Sequence, residues 1–432
     1  MKNGITTFHL SNGLQVMLME IHTTPIISQW VWYRVGSRNE VDGIRGISHW
    51  IEHLQFKGTQ KYPIDELDHA ISRVGGMWNA MTYLDWTTYY ETLPASALDL
   101  ALDLEADRMQ NSLFDKNEVE SERTVVISEM EGNMNEPLFH LNSAIQHAAF
   151  SVHPYKHDVI GTMEDLRTIT RDQLYQHYQN HYHPGNAILC IAGDFDTDTT
   201  RKKIEDKFGP IPGRTGSGHS IPIEPQQGKE NRIDLEGPGD ALYVQISYHA
   251  PKADDPDFLT LTVIDSLLSG PSPLAMFGGG SISNRTSRLY QALVEKDISV
   301  GVSGGIQATI DPFLHRFTLT LEPGSDPEEA IHAFDTEIEK IIQEPIQPAE
   351  IERAALQAQA MFAYGSENIT NQGFWMGYSN IFADYDWYEQ YVKRIRSVTS
   401  QDIKELAAKH LARQNRSVGI FTPTQVEANH AK

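Results

Sequence analysis

The stretch Gly46-Ile47-Ser48-His49-Trp50-Ile51-Glu52-His53-Leu54-Gln55-Phe56-Lys57-Gly58-Thr59 decides how the rest of the chain is read. Written on a helix, His49 and His53 lie one turn apart and point to the same side. Two imidazoles at that spacing can hold one zinc ion, and Glu52 lies beside them without having to be a ligand. A carboxylate there is placed to take a proton from a metal-bound water, the general-base role in metal-assisted hydrolysis. Ser48 is the expected N-cap of the helix and Gly58 the expected left-handed stop after Lys57. The order His-x-x-Glu-His reverses the commoner His-Glu-x-x-His.

Upstream, Thr6 to Leu10, the turn Ser11-Asn12-Gly13 and Leu14 to Glu20 read as a hairpin, because Asn-Gly between apolar-rich runs is a strong turn signal. Ile26 to Tyr33 is a third strand, dense in β-branched and aromatic residues. Downstream come an amphipathic helix, Ile64 to Val74, stopped by Gly75-Gly76, then strands Met77 to Thr82 and Thr87 to Leu93. Long helices over Ala95 to Asn111 and Lys116 to Met134 precede a buried strand, Ala187 to Gly193. Hairpin-joined strands mixed with helices predict an α+β fold whose sheet is mostly antiparallel.

Gly, Ser and Pro crowd together from Gly213 to Lys229 without apolar periodicity, which predicts a linker at 213–229 between domains 1–212 and 230–432. A break near mid-chain suggests duplication. Thr170-Arg-Asp-Gln-Leu174, running to Asn186 before the buried strand, matches Thr399-Ser-Gln-Asp-Ile403, running to Asn415 before Ser417-Val418-Gly419-Ile420-Phe421, without a gap. Glu122-Arg123 and Glu352-Arg353 form a second pair at nearly the same offset. The chain reads as two copies of one α+β domain, the second without a His-x-x-Glu-His.

Catalytic zinc takes three protein ligands and keeps one position open. The helix from Glu118 to Glu131 offers the missing carboxylate. Glu122 and Glu129 are two turns apart on one face, with Val125 and Val126 between them, so that face is expected to be partly apolar and buried. Glu118, Glu120 and Glu131 read as solvated. The repeat singles out Glu129, whose counterpart in the second copy is Gln359: the carboxylate is present only where the histidines are. His177 and His181 also stand four apart, with His183 nearby, but tyrosines interleave and no glutamate accompanies them, so they read as a polar, aromatic helix face.

With 432 residues the chain has room for two large domains, and 40% apolar content is ordinary for a globular protein. A formal net charge of −23 argues against nucleic acid, whose phosphates need clustered Lys and Arg. It suits cationic peptides and, equally, plain solubility. Cys190 is the one cysteine, so no intrachain disulfide forms; within an apolar run it reads as a buried, inert thiol. No run of about 18 apolar residues occurs to span a membrane, and residues 1–6 do not read as a signal peptide. The expected compartment is the cytoplasm, or the periplasm for a chain whose leader has been removed.

These marks together resemble the pitrilysin/insulinase family of zinc peptidases, the inverzincins. The likeness is to their half-length group, which includes the mitochondrial processing peptidase β subunit and bacterial relatives. The residues that carry it are His49-Trp50-Ile51-Glu52-His53, Phe56-Lys57-Gly58-Thr59 and the glutamate 76 residues beyond His53. Gly75 to Ala80 with Thr87-Thr88-Tyr89-Tyr90, then His153-Pro154-Tyr155 and Tyr182-His183-Pro184, extend it along the chain. The resemblance implies one zinc per chain on His49, His53 and Glu129, with Glu52 as base and Glu122 supporting the site. It implies that Asn79 and Ala80 lie on an edge strand to which an extended peptide is added. It also implies two homologous α+β domains, and half-length chains that pair as a clamshell around a chamber where unfolded peptides are cut.

One departure is plain. Family members active alone carry an arginine and a tyrosine seven residues apart in the second domain; here Val294 and Gly301 stand at those positions. Neither offers a side-chain donor for the oxyanion. Arg288 and Tyr290 lie close by at the wrong spacing and read as ordinary helix residues. A second, homologous subunit is therefore expected to supply the pair in a heterodimer, the alternatives being a self-sufficient homodimer and a non-catalytic scaffold. The Gly- and Pro-rich stretch from Ser269 to Ser281 matches a short glycine loop of the family; it is not a phosphate loop, because no Gly-Lys-Ser/Thr follows.

Overall fold

The computed structural model describes residues 4–214, 220–274 and 282–424, so parts of the linker stretch (215–219) and of the glycine-rich stretch (275–281) lie outside the described residues. The first strands are β1 (Ile5–His9), β2 (Gln15–Glu20), β3 (Ile26–Tyr33), β4 (Met77–Thr82), β5 (Thr87–Pro94) and β6 (Ala187–Gly193). They form one sheet in the order β1-β2-β6-β3-β5-β4, antiparallel except where β2 meets β6. The hairpin turns where it was read, with Gly13 at φ 92° and the Asn12 side chain donating to the carbonyls of Phe208 (2.7 Å) and Ile211 (2.9 Å). β6 lies between β2 and β3 with every residue buried, as a continuous apolar run predicts for an inner strand. Burial there pushes the Cys190 thiol pKa far up, leaving it inert.

The remaining strands are β7 (Asn231–Pro238), β8 (Leu242–Ala250), β9 (Gly301–Gly305), β10 (Phe313–Leu321) and β11 (Arg416–Thr424), in the order β7-β11-β8-β10-β9. Position for position this repeats β2-β6-β3-β5-β4, with its single parallel pair, β7 and β11, in the same place. The helices of the first half are α1 (Ile47–Leu54), α2 (Ile64–Arg73), α3 (Leu98–Asn111), α4 (Lys116–Asn133), α5 (Pro137–Ala149), α6 (Met163–Thr168), α7 (Arg171–His181) and α8 (Thr197–Phe208). Those of the second are α9 (Pro256–Ser269), α10 (Pro327–Gln343), α11 (Pro348–Tyr364), α12 (Ile369–Phe382), α13 (Tyr385–Ile395) and α14 (Ser400–His410). The gapless repeat is structural in detail. Thr170 and Thr399 each open a capping box, on α7 and α14, and Asn186 and Asn415 each donate to the carbonyl five residues back, that of His181 (2.9 Å) or His410 (2.7 Å).

The chain divides into two compact units, neither continuous in sequence. One is Met1–Glu131, His157–Pro222 and Ser366–Ile381; the other is Gly132–Lys156, Ile223–Gly365 and Phe382–Lys432. Helix α12, late in the chain, thus belongs with the first sheet, and α5, early in the chain, with the second. Within the first unit, Trp30 and Trp32 of β3 are fully buried and ringed by Trp86 and by Phe374 and Tyr378 of α12. Within the second, Leu141 and Ile145 of α5 pack on Phe421 of β11 and on Ile233, Leu235 and Tyr243. Composition marks a linker at 213–229, but it carries no sign of which sheet a helix covers. Among the described residues no helix is long and apolar enough to cross a membrane.

Candidate metal centre

Helix α1 packs its apolar side inward, with Ile47, Trp50, Ile51 and Leu54 buried, and this leaves His49, Glu52 and His53 on the other side. Its start corrects the expected N-cap. Gly46, not Ser48, caps the helix, at φ 91°, where a Cβ would come within 2.4 Å of the Ile160 carbonyl oxygen. Two N–H groups at the helix start are taken by a carboxylate from outside the helix: Glu40 accepts from Gly46 N (2.7 Å) and Ser48 N (2.9 Å). Burial pushes the Glu40 carboxyl up to about 7 in spite of those bonds. The Ser48 hydroxyl instead faces His177 Nε2 at 3.3 Å, so His177 supports the helix from behind. At the far end Gly58 does turn left-handed (φ 94°), where a Cβ would meet Ile64 N and Tyr62 O at 2.8 Å.

Helix α4 brings the carboxylates. Arg123 ties it down, donating to the carbonyls of Leu166 (2.6 Å) and Ile169 (2.9 Å) with its guanidinium over the Trp50 ring. Val126 is buried between Glu122 and Glu129, whereas Val125 is 46% exposed: one position off the stripe is enough to turn it to solvent, which corrects the expected apolar face. Glu129 is itself partly open. Its Oε1 lies 3.7 Å from His49 Nε2 and its Oε2 3.6 Å from His53 Nε2. Among the described residues, these three are the group able to hold a metal ion, one ligand atom from each lying within 4.8 Å of the others. Tetrahedral zinc bonded at ~2.0–2.1 Å spaces its ligand atoms about 3.4 Å apart, so small side-chain adjustments close the set and it fits the ion.

The surrounding groups are matched to that chemistry. Burial, and then the charge of His53, depresses His49 to about 3, which keeps its imidazole neutral and free to ligate. Burial also opposes charge on His53, but the hydrogen bond to Glu122 and the charges of Glu52, Glu122 and Glu129 outweigh it and raise its pKa. Glu122 Oε1 is 2.8 Å from His53 Nδ1, and Glu122 Oε2 is 2.6 Å from Lys57 Nζ. Glu52 accepts a 2.6 Å hydrogen bond from the Thr82 hydroxyl, and burial raises its carboxyl to about 6.

Thr82 ends β4, an outer strand of the first sheet whose neighbour is β5. Asn79 is exposed on it and Ala80 buried, the Ala80 N–H being held by Asn79 Oδ1 at 2.8 Å. In the second unit, Val294 ends a π-helical turn (Tyr290–Val294) and Gly301 begins β9. Arg288 is engaged with Glu350 at 2.6 and 2.9 Å, and Gln359, the counterpart of Glu129, accepts from Arg396 at 2.8 Å. The residues that sequence reasoning did not single out are Glu40, Lys57 and Thr82. Lys57 and Thr82 stand inside stretches already quoted, but nothing in their spacing names a partner; Glu40 has no local signal.

The family profile described as "Insulinase (Peptidase family M16)" matches residues 15–163, the part carrying His49, Glu52, His53 and Glu129, and "Peptidase M16 inactive domain" matches residues 168–358. The zinc protease PqqE of Helicobacter pylori is 28% identical over 87% of this chain and 82% of its own length. The crystal structure of a protease from Helicobacter pylori superposes with a TM-score of 0.88 at 25% identity, covering 97% of this chain and 99% of that one. The fold is also that of the periplasmic protease PqqL of Escherichia coli (TM-score 0.78, 18% identity), in which all of this chain matches 49% of the longer one. With both halves matched in order, and with relatives of similar length named zinc proteases, the chain belongs to the M16, or pitrilysin/insulinase, family as a half-length member.

Proposed function

We propose that this chain is the zinc-bearing catalytic subunit of a metalloendopeptidase that cuts unfolded peptides. One observation carries the reading: the Nε2 atoms of His49 and His53 converge with the Glu129 carboxylate beside a half-buried carboxylate, Glu52, that is not part of the group. His49, His53 and Glu129 would hold the ion, which when bound polarises the scissile carbonyl and acidifies a water. Glu52 accepts the proton of the attacking water and delivers it to the leaving amine nitrogen as the C–N bond breaks. Thr82 holds the Glu52 carboxylate in line, and Thr82→Val should lower kcat roughly tenfold with zinc content unchanged, the scale of one hydrogen bond to a charged group. Glu122 orients His53. The outer strand β4, at Asn79 and Ala80, receives the substrate as an added strand, main-chain bonds holding it while its sequence is read loosely.

The electrophilic half of the site is proposed to come from a homologous second subunit closing a clamshell. Val294 and Gly301 supply no donor, and Arg288 is already committed to Glu350. PqqL, with a chain about twice this length, offers a precedent in fold for two such halves. A scaffold role is not favoured, because the three metal-binding groups His49, His53 and Glu129 are present and converge. We place the chain in the cytoplasm, since its lone buried thiol suits a reducing compartment; cell fractionation reads this directly.

The test is cleavage of a quenched fluorescent peptide by the zinc-loaded chain alone and with a co-expressed homologue that carries the arginine and tyrosine. The expected result is activity near the Glu52→Gln blank for the chain alone, and a rise of about 10²-fold or more with the partner, the worth of an oxyanion donor. Brisk turnover by the chain alone would refute the two-subunit reading and leave the zinc mechanism standing. A zinc-free chain that cleaves as well as the loaded one would refute the metallopeptidase itself.

A further inference from the structure

We infer that Lys57 is a positioning residue for the metal centre, acting on His53 through Glu122. The inference rests on the proposed zinc site and goes beyond it by assigning a residue outside the ligands and the base. A histidine that ligates through Nε2 must carry its proton on Nδ1, and an acceptor at Nδ1 fixes both that tautomer and the ring. The two histidines differ here. Among the described residues the buried His49 Nδ1 has no hydrogen-bond partner, while His53 Nδ1 faces Glu122 Oε1 at 2.8 Å.

Glu122 is only 4% exposed, and a carboxylate so buried needs compensation. His53 meets one oxygen; Lys57 Nζ, 2.6 Å away, meets the other. Arg123, the adjacent cation on α4, is turned to Glu120 and to the carbonyls of Leu166 and Ile169. Charge compensation of Glu122 therefore falls to Lys57. Local backbone delivers it: the Lys57 N–H bonds to the Leu54 carbonyl (3.0 Å), continuing the last turn of α1, before Gly58 reverses the chain at φ 94°. Lys57 thus stays one turn beyond His53 on the same side, and both reach the same carboxylate. Without Lys57 the carboxylate keeps one partner, is drawn toward water, and no longer holds the ring.

The experiment measures zinc affinity by competition with a chromophoric chelator for wild type, Lys57→Met, Lys57→Arg, Glu122→Gln and the Lys57→Met/Glu122→Gln double variant. The urea midpoint of each metal-free protein is measured alongside. Lys57→Met is expected to weaken zinc about 10- to 100-fold, Lys57→Arg to recover most of that loss, and the double variant to bind no worse than Glu122→Gln. The metal-free midpoint of Lys57→Met should fall, because Glu122 loses its buried partner, and that of the double variant, which leaves no buried charge unpaired, should return toward wild type. The double variant's zinc affinity, still that of Glu122→Gln at a recovered midpoint, separates positioning from mere stability. Wild-type affinity in Lys57→Met, or losses that multiply in the double variant, would overturn the inference while leaving the zinc site intact. If Lys57→Met does not fold, Lys57→Arg decides: a Lys57→Arg protein that folds but binds zinc as weakly as Glu122→Gln refutes it. A wild-type chain that takes up no zinc, or a His49→Ala variant that takes it up as well, sinks the proposed function and this inference together.

Discussion

Glu52→Gln lowers kcat by about 10²- to 10⁴-fold while zinc content and folding stay those of the wild type; this is the expected outcome if Glu52 is the base, because general-base catalysis is worth that much. The substitution keeps the shape of the side chain and an amide oxygen able to accept the Thr82 hydroxyl, so the environment of the site is preserved. What is lost is the capacity to take a proton. His49, His53 and Glu129 converge without Glu52, so metal binding should not depend on it. The assay is made in whichever assembly, chain alone or paired, turns the peptide over, with zinc quantified on the same sample. Loss of zinc in Glu52→Gln would make the residue part of the metal set, and unchanged kcat would remove it from the chemistry.

The second large effect concerns the packing of α12 on the first sheet. Gly377→Leu should destabilise the first unit by about 3 kcal/mol or more, read as a lowered urea midpoint and a poor yield of folded protein. A Cβ at Gly377 would stand 2.0 Å from Trp32 Nε1, and Trp32 cannot yield, being fully buried among Trp30, Trp86, Phe374 and Tyr378. Gly373 makes the same close approach to Trp30 (2.6 Å), so two glycines one turn apart let α12 lie directly on the tryptophans of β3. Gly132, in the last turn of α4 with nothing within 4 Å of its Cβ position, is the contrast: Gly132→Ala should be neutral or stabilise by up to about 1 kcal/mol. A Gly377→Leu protein as stable as wild type would mean that α12 does not cover the first sheet. The same packing predicts that residues 1–222 alone, lacking α12, leave Trp30 and Trp32 uncovered and do not make a stable unit.

The sequence by itself determined what depends on near neighbours along the chain. Strands β3, β4 and β6 form over Ile26–Tyr33, Met77–Thr82 and Ala187–Gly193 as read, because alternation and apolar runs act within one element. His49 and His53 share a face because four residues make a helical turn. The duplication was legible from paired motifs, and through it Glu129 was picked over four other glutamates of its helix. Tertiary structure decided whatever needs two distant segments to meet. The N-cap of α1 is Gly46 rather than Ser48, since the positive φ at Gly46 and the Glu40 carboxylate, arriving from outside the helix, settle how the helix starts. Thr82 reaches Glu52 across 30 residues and Lys57 meets Glu122 across 65, and α5 and α12 are assigned to sheets that their place in the chain does not suggest. A helix's periodicity states that one of its faces is buried; only the folded chain states what that face is buried against.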